Sequence, residues 1–153
     1  VLSVLSAGVH SPYTNWDDLA LKNSFSLSNA ANAAGFYNDL GLDALARDGA
    51  NTGISFVHAA PGFVRTQWGR DFNPLLRGLV RVSQIFAKRP ETCAEKLVTG
   101  LHSTQMRGGY KLMDPDGKPA KDKCAKAHTD DAVDRVWRHT MEVLQRAPTA
   151  PTA

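Results

Sequence analysis

Three segments of the chain have the apolar, β-branched and aromatic composition of short strands. The first covers residues 1–5, the second covers residues 54–60, and the third lies within residues 107–113. The second run ends at Pro61, which cannot donate a hydrogen bond to a strand ladder, and Gly62 then permits a tight turn. The pattern predicts three strands, of which the first two are expected to be buried and to lie side by side in the same direction.

The segments between these strands have apolar residues at helical spacing. Residues 28–47 carry small and larger apolar side chains on more than one face, which predicts a helix packed against a sheet on one side and another element on the other. Residues 75–86 and 90–104 predict two further helices. A last helix is predicted to begin at Thr129, whose side chain can cap free backbone amides. Helices that alternate with strands in this way are typical of an α/β fold.

The composition does not alter the predicted fold class. The chain has 153 residues, of which 42% are hydrophobic and 22% are charged, as in ordinary globular proteins. This length suffices for one domain with a single core, yet it is small for an enzyme that must enclose a dinucleotide. No apolar run approaches the roughly 20 residues that span a bilayer, so we expect no transmembrane segment.

The net charge of +3 permits nucleic-acid binding but does not require it. Much of the excess comes from one segment that holds Lys118, Lys121, Lys123 and Lys126. A short lysine cluster beside a turn is more often a solvated surface than a phosphate-binding site, and it matches no nucleic-acid motif. We therefore expect no nucleic-acid partner.

The cysteines and histidines give little sign of a metal site. Cys93 and Cys124 are far apart without a pairing pattern, which favours a reduced, cytoplasmic setting. Cys124 and His128 could share a helical face, but zinc needs three or four ligands and no second pair accompanies them. His58, inside the second strand, is more typical of a satisfied core or crevice histidine than of a catalytic base. We predict no metal.

Small residues follow the first two predicted strands. Ser6 stands where the first strand ends, and Pro61 and Gly62 stand where the second ends. Ligands bind outside the carboxyl ends of strands in open parallel sheets, so a cofactor could lie here. A strand followed by an ordinary turn explains the same residues and is the commoner case, because ligand sites are few per protein. Both interpretations stay open on these residues alone.

Taken in chain order, these features resemble the carboxy-terminal half of a short-chain dehydrogenase/reductase, in the style of its retinol-dehydrogenase-like members. In that family a strand ends at a catalytic serine, a helix carries Tyr-x-x-x-Lys, and the next strand ends in Pro-Gly followed shortly by a threonine. Here Ser6 falls at the first position, residues 25–31 fall at the second, and residues 61–66 fall at the third. The resemblance covers nearly the whole chain and depends on the order and spacing of these motifs together.

The resemblance implies an NAD(P)-dependent oxidoreductase that transfers a hydride between a nicotinamide and an apolar alcohol or carbonyl compound. It implies that Ser6 is the catalytic serine, which holds the carbonyl oxygen. The cofactor, NAD or NADP, is implied to bind through five residues, namely Asn29, Pro61, Gly62, Val64 and Thr66.

Two positions depart from the family pattern. Phe25 occupies the tyrosine position and has no proton to give, and Asn29 occupies the lysine position and brings no charge to stabilise a phenolate. Positioned acid–base catalysis is worth about 10²- to 10⁴-fold, so the loss of both groups would be severe. Tyr13 and Lys22 are nearby in sequence and are the alternative donors, although loop residues seldom reach within about 3 Å of a reacting oxygen by chance.

The glycine-rich turn that receives the pyrophosphate of a dinucleotide is absent from the sequence. We therefore expect residues 1–146 to form one partial domain without the cofactor-phosphate half, which would be encoded upstream, and residues 147–153 to be a disordered tail. The predicted fold class is α/β, a partial Rossmann-like doubly wound fold with about three mostly parallel strands and flanking helices.

Two functions stay open. The first is the carboxy-terminal part of an NAD(P)-dependent oxidoreductase that is inactive as this isolated chain and binds the cofactor weakly or not at all. The second is a non-catalytic descendant that works as a binding or assembly module, with residues 28–47 as the surface for homo-oligomerisation.

Overall fold

A computed structural model describes residues 1–66, 73, 78 and 84–147 of the chain. The strands are β1 (Leu2–Val4), β2 (Ser55–Ala59) and β3 (Gly109–Met113), and the helices are α1 (Leu27–Arg47), α2 (Pro90–Leu101) and α3 (Asp130–Arg146). The helix predicted over residues 75–86 falls mostly outside the described residues, and its last residues, Gln84–Phe86, form a single 3-10 turn. The predicted tail lies outside them except for Ala147.

The three strands form one parallel sheet in the order β1-β2-β3. His58 at the centre of the sheet lies opposite Ser3 of β1 and Leu112 of β3. The side-by-side parallel pairing of the first two strands is confirmed. The chain is therefore an α/β structure with a three-stranded parallel sheet flanked by helices, consistent with a partial Rossmann-like fold.

The central strand β2 is buried on both faces because successive side chains point to opposite sides of the sheet. Val57 and Ala59 point to one face, where they pack with Cys93 and Leu97 of α2. His58 points to the other face, toward α1. Helices thus cover both sides of β2, which is the layering of a doubly wound fold.

Helix α1 lies between the sheet and α3. Its Phe36 and Leu40 pack with Val133 and Val136 of α3, and these four side chains form the centre of one hydrophobic core. On the sheet side, α1 contacts both β2 and β3. The predicted packing of this helix against a sheet and a second element is confirmed, and the second element is α3.

Side-chain caps fix the starts of α1 and α3. The Ser26 hydroxyl accepts a hydrogen bond from the Asn29 N–H at 3.0 Å. The Thr129 hydroxyl accepts one from the Ala132 N–H at 3.2 Å, as the sequence predicts. Each cap satisfies a backbone donor that has no partner inside its helix.

The prediction that residues 1–5 are buried is wrong. Val1, Val4 and Leu5 are 61%, 48% and 48% exposed. The reason is position: β1 is an edge strand, and β2 is its only neighbour among the described strands. Ile54, expected within the second strand, precedes it and is 41% exposed.

The two edges of the sheet differ. The turn after β3 folds back on its outer side, where the Ala120 N–H donates to the Leu112 carbonyl at 3.0 Å and the Asp114 N–H donates to the Lys118 carbonyl at 2.8 Å. Within residues 1–66 and 84–147, no backbone segment pairs with the outer side of β1. One edge is therefore covered and the other is open in the described structure.

Two surface properties bear on the partners expected from the sequence. Among the described residues, no helix combines the length and the apolar character needed to cross a membrane. The side chains of Lys118, Lys121, Lys123 and Lys126 are all exposed, as expected for a solvated lysine segment.

Candidate functional site

A buried group of ionisable side chains lies between the sheet, the segment after β1 and α1. His10, Asp39 and His58 are 6%, 1% and 0% exposed. His58 Nδ1 lies 2.5 Å from Asp39 Oδ1, and His10 Nε2 lies 2.9 Å from Asp39 Oδ2. The two imidazole rings stack with their centroids 5.8 Å apart. We refer to these three residues as the histidine–aspartate cluster.

The proton on His58 follows from its partners. The backbone N–H of Ser6 donates to His58 Nε2 at 2.9 Å, so this nitrogen must be unprotonated. The ring proton is therefore on Nδ1, from which it is donated to the Asp39 carboxylate. His58 is a neutral histidine held in one tautomer. This confirms the prediction of a satisfied core histidine.

His10 has an oxygen atom at each ring nitrogen. Its Nδ1 lies 2.9 Å from the Ser6 carbonyl oxygen, which can only accept, so Nδ1 carries a proton. Its Nε2 approaches Asp39 as an ion pair, although the approach is poorly aligned for a hydrogen bond. Burial disfavours the charged ring, but the contacts with Asp39 and Ser6 outweigh burial and raise the pKa of His10 above its ordinary value. The protonated form of His10 is thus favoured more strongly than in a free histidine.

Asp39 is ionised within the cluster. Burial opposes its charge, but the contacts with His10, His58 and Tyr110 prevail and lower the pKa of Asp39 to about 2. The Tyr110 hydroxyl is buried near Asp39 and has no well-aligned hydrogen-bond partner among the described residues. Burial and the Asp39 charge raise the pKa of Tyr110. When His10 is protonated, the cluster holds a compensated pair of charges on His10 and Asp39, flanked by the polar groups of His58 and Tyr110.

The cluster holds Ser6 at the end of β1. The Ser6 hydroxyl oxygen lies 3.2 Å from His10 Nδ1, and the Ser6 N–H and carbonyl bind His58 and His10 as described above. Gly35 of α1 permits this approach, because a Cβ atom at this position would lie 2.5 Å from both Ser6 Oγ and His10 Nδ1. The close contact of helix and strand end thus depends on a residue without a side chain.

The carboxyl ends of β1 and β2, where a ligand site is predicted, lie side by side. The Leu5 N–H donates to the Ala59 carbonyl at 2.8 Å, so β1 and β2 remain paired up to Ser6 and Ala60. Ala7 and Ala60 then pack in the same small apolar cluster. Ser6 and the Pro-Gly turn are therefore neighbours in space.

The predicted turn after β2 is present. Gly62 adopts a φ of 70°, a conformation that glycine tolerates without steric cost. Beyond it, Val64 forms a parallel bridge with Lys88 and packs on the core beside α2. Thr66 is exposed, and its carbonyl accepts a hydrogen bond from Gln84 Nε2 at 2.8 Å.

The residues at the Tyr-x-x-x-Lys position lie at the start of α1. Phe25 is 69% exposed and directly precedes the capping residue Ser26. Asn29 donates from Nδ2 to the Ser24 carbonyl at 2.7 Å, so its side chain helps to fix the turn into the helix. The implied cofactor-binding role of Asn29 remains a prediction.

The two alternative donors, Tyr13 and Lys22, belong to a tightly bonded loop. The Tyr13 hydroxyl is buried against Ser24 Oγ at 2.6 Å. The Asp18 carboxylate accepts the backbone N–H groups of Lys22, Asn23 and Ser24 at 2.7, 2.8 and 2.8 Å. The Tyr13 hydroxyl is therefore engaged by another residue of the same loop, Ser24.

Sequence reasoning missed His10, Asp39 and Tyr110. A signal for Asp39 existed, because it lies between Phe36 and Leu40 on the buried side of α1, where an aspartate requires partners. The sequence does not show which residues are these partners, because they come from distant segments of the chain.

The described residues contain no group of three or more His, Cys, Asp or Glu side chains that could hold a metal ion. The Cys124 thiol donates to the His10 carbonyl at 3.8 Å, and His128 Nε2 lies 2.9 Å from Asp43. A surface cavity of about 490 Å³ lies away from the cluster, between α2 and the turn after β3. Two of its charged residues, Lys96 and Asp116, pair with each other at 2.7 Å.

Comparison of the chain with protein-family models, with curated proteins and with solved structures finds no match.

Proposed function

We propose that the chain is the carboxy-terminal part of an NAD(P)-dependent oxidoreductase of the short-chain dehydrogenase/reductase type, acting on an apolar alcohol or carbonyl compound. The observation that carries this proposal is the joint exit of Ser6 and of Pro61-Gly62 from two paired parallel strands. Open α/β sheets bind ligands outside such strand ends. In this proposal Ser6 holds the carbonyl oxygen, and Gly62, Val64 and Thr66 lie beside the nicotinamide.

In this proposal the residues at the two strand ends serve the nicotinamide end of the cofactor. Gly62 has a φ of 70°, its Cβ position faces Pro115 at 3.0 Å, and the proposed contact with the nicotinamide is made by the backbone of this turn. By contrast, α2 and α3 carry the acidic residues Glu91, Asp130 and Asp131 in their first turns, which repel phosphate at a helix start. The starts of α2 and α3 therefore do not suit the pyrophosphate of a dinucleotide, whereas α1 has no acidic residue in its first turn. We expect no dehydrogenase turnover from the isolated chain, in which Phe25 and Asn29 replace the proton-handling pair.

The test is a titration of the ¹⁵N-labelled chain with nicotinamide mononucleotide, followed by amide chemical shifts. We expect shifts confined to residues 6–8 and 62–66, and none with adenosine monophosphate at the same concentration. Thr66→Val should weaken the response, whereas Thr99→Val, at an exposed threonine of α2, should leave it unchanged. Equal responses to both nucleotides, or shifts that map elsewhere, would contradict the proposal.

The second function, a non-catalytic assembly module, is favoured by one observation. Just before the predicted contact surface of residues 28–47, Phe25 and Leu27 are 69% and 84% exposed. Large exposed apolar side chains of this kind are typical of contact surfaces. Light scattering across a range of concentrations tests this function: it requires self-association that Leu27→Glu abolishes. A monomer at every concentration would count against it.

A further inference from the structure

The histidine–aspartate cluster is linked to Ser6 through three separate groups. The Ser6 N–H donates to His58 Nε2 at 2.9 Å, the Ser6 carbonyl accepts from His10 Nδ1 at 2.9 Å, and the Ser6 hydroxyl oxygen lies 3.2 Å from the same nitrogen. Apolar packing of similar volume is often as stable as a buried ion pair, so stability alone gives little reason for the cluster. Its contacts converge instead on a single partly exposed serine.

The direction of these bonds leaves the Ser6 hydroxyl proton free for an outside acceptor. His10 Nδ1 carries a proton, because the Ser6 carbonyl can only accept. Toward the Ser6 hydroxyl oxygen the same N–H can only donate, so the hydroxyl accepts from His10 and directs its own proton elsewhere. The protonated Nδ1 also cannot act as a general base, so Ser6, His10 and Asp39 do not form a nucleophile-activating triad despite their composition.

The surroundings favour a neutral acceptor. The charges of His10 and Asp39 compensate each other at 2.9 Å, which leaves little net attraction for an anion. Beside Ser6, Ala7 and Ala60 pack with Leu112 in a small apolar cluster. A single hydroxyl donor beside apolar side chains matches an uncharged carbonyl group.

We propose that His10, Asp39 and His58 are positioning residues that hold Ser6 as a hydrogen-bond donor for the carbonyl oxygen of an apolar ketone or aldehyde. The class of ligand rests on the proposed function, whereas the orientation of Ser6 rests on the cluster itself. The buried charge of His10 polarises the hydroxyl, and a donor fixed before the ligand arrives requires no reorganisation on binding. The Asp122 carboxylate, on the segment before α3, also favours the charge of His10, and the Tyr110 hydroxyl of β3 favours the charge of Asp39.

The first test is a long-range ¹H–¹⁵N spectrum of the histidine rings in the full chain at neutral pH. We expect protons on both nitrogens of His10 and on Nδ1 alone of His58. Asp39→Asn should remove one proton from His10 and leave the far-UV circular dichroism unchanged. An unprotonated Nδ1 on His10 in the wild-type chain would overturn the proposal, and this measurement needs no variant to fold.

The second test uses carbonyl-¹³C cyclohexanone as the probe. We expect binding that shifts the Ser6 and Ala7 amides and moves the bound carbonyl resonance downfield. Ser6→Ala should weaken binding about tenfold, the size of one net hydrogen bond. Asp39→Asn should reduce the carbonyl shift although the Ser6 hydroxyl is still present, an effect that a purely structural role would not produce.

The control variant is Ser3→Ala, which removes a hydroxyl from β1 that donates to Asn38 Oδ1 at 3.1 Å. Equal cyclohexanone binding by Ser6→Ala and Ser3→Ala would overturn the proposal. If cyclohexanone binding depends on Ser6 and Asp39 but nicotinamide mononucleotide shifts no amide at residues 62–66, the proposed oxidoreductase function is refuted and the carbonyl site stands. If nicotinamide mononucleotide shifts these amides but cyclohexanone binding does not depend on Ser6 and Asp39, only the carbonyl site is refuted.

Discussion

Two glycines of α1 should respond in opposite directions to the same substitution. In a helix interior, alanine is favoured over glycine by about 1 kcal/mol wherever the new methyl group meets no obstacle. In the described structure no atom other than those of the neighbouring residues and the nearby backbone of α1 lies within 4 Å of the Cβ position at Gly41. We therefore expect Gly41→Ala to raise the free energy of unfolding by about 0.5–1 kcal/mol.

At Gly35 the same methyl group has no room. Its Cβ would lie 2.5 Å from Ser6 Oγ and from His10 Cγ and Nδ1, well inside van der Waals contact. The His10 ring cannot move aside cheaply, because both of its nitrogens are engaged. Overpacking of this kind costs about 1–3 kcal/mol. After the gain in helix propensity, Gly35→Ala should lower the free energy of unfolding by about 1 kcal/mol.

Urea unfolding followed by far-UV circular dichroism measures both variants on one scale. The expected result is a lower midpoint for Gly35→Ala and a higher midpoint for Gly41→Ala, with the slope unchanged in each. If Gly35→Ala is stabilised as much as Gly41→Ala, the close approach of α1 to Ser6 and His10 is refuted.

The titrating and capping groups give four further predictions. Folding lowers the pKa of Asp39 to about 2, so its stabilisation of roughly 2 kcal/mol should be present above the unfolded value near 4 and lost as pH falls toward 2. Folding raises the pKa of His10, so the stabilisation from its protonated form should be complete below about pH 6.5 and lost as pH rises through the pKa of the folded state. Urea midpoints measured across the pH range check the predictions for Asp39 and His10, and midpoints that do not change with pH would contradict them. Thr129→Ala should cost about 1 kcal/mol by removing the α3 cap, whereas Thr99→Ala should cost much less in the same unfolding experiment. Burial, followed by the Asp39 charge, raises the pKa of Cys124 to about 11, so iodoacetamide should alkylate it at pH 8 far faster in the unfolded chain; rapid labelling of the native chain, detected by mass spectrometry, would disagree.

Features with a local cause were predictable from the sequence. Pro61 ends β2 because it lacks a donor, and Thr129 begins α3 because its hydroxyl can cap the helix. The same local logic identified His58 as a satisfied histidine. Exposure of β1 was not predictable, because Val4 and Leu5 have the composition of buried residues and their exposure depends on how many neighbouring strands are present.

The cluster around Asp39 was beyond sequence reasoning for a related reason. Its members come from the segment after β1, from α1 and from β2, and no spacing rule relates His10 to Asp39 across that distance. A buried aspartate in a sequence indicates that polar or charged partners exist, but it does not identify them. The roles implied for Phe25, Asn29 and Thr66 by family resemblance stay predictions.

Among residues 1–66 and 84–147 no segment pairs with the outer side of β1, and this has a practical consequence for work with the isolated chain. A row of backbone N–H and C=O groups flanked by Val4 and Leu5 is a template on which another extended polypeptide can add itself as a further strand. Concentrated preparations should therefore tend toward strand exchange and aggregation that begin at the β1 edge of the sheet. A lysine at position 4 should suppress that tendency, since a charge facing an incoming strand makes its addition unfavourable.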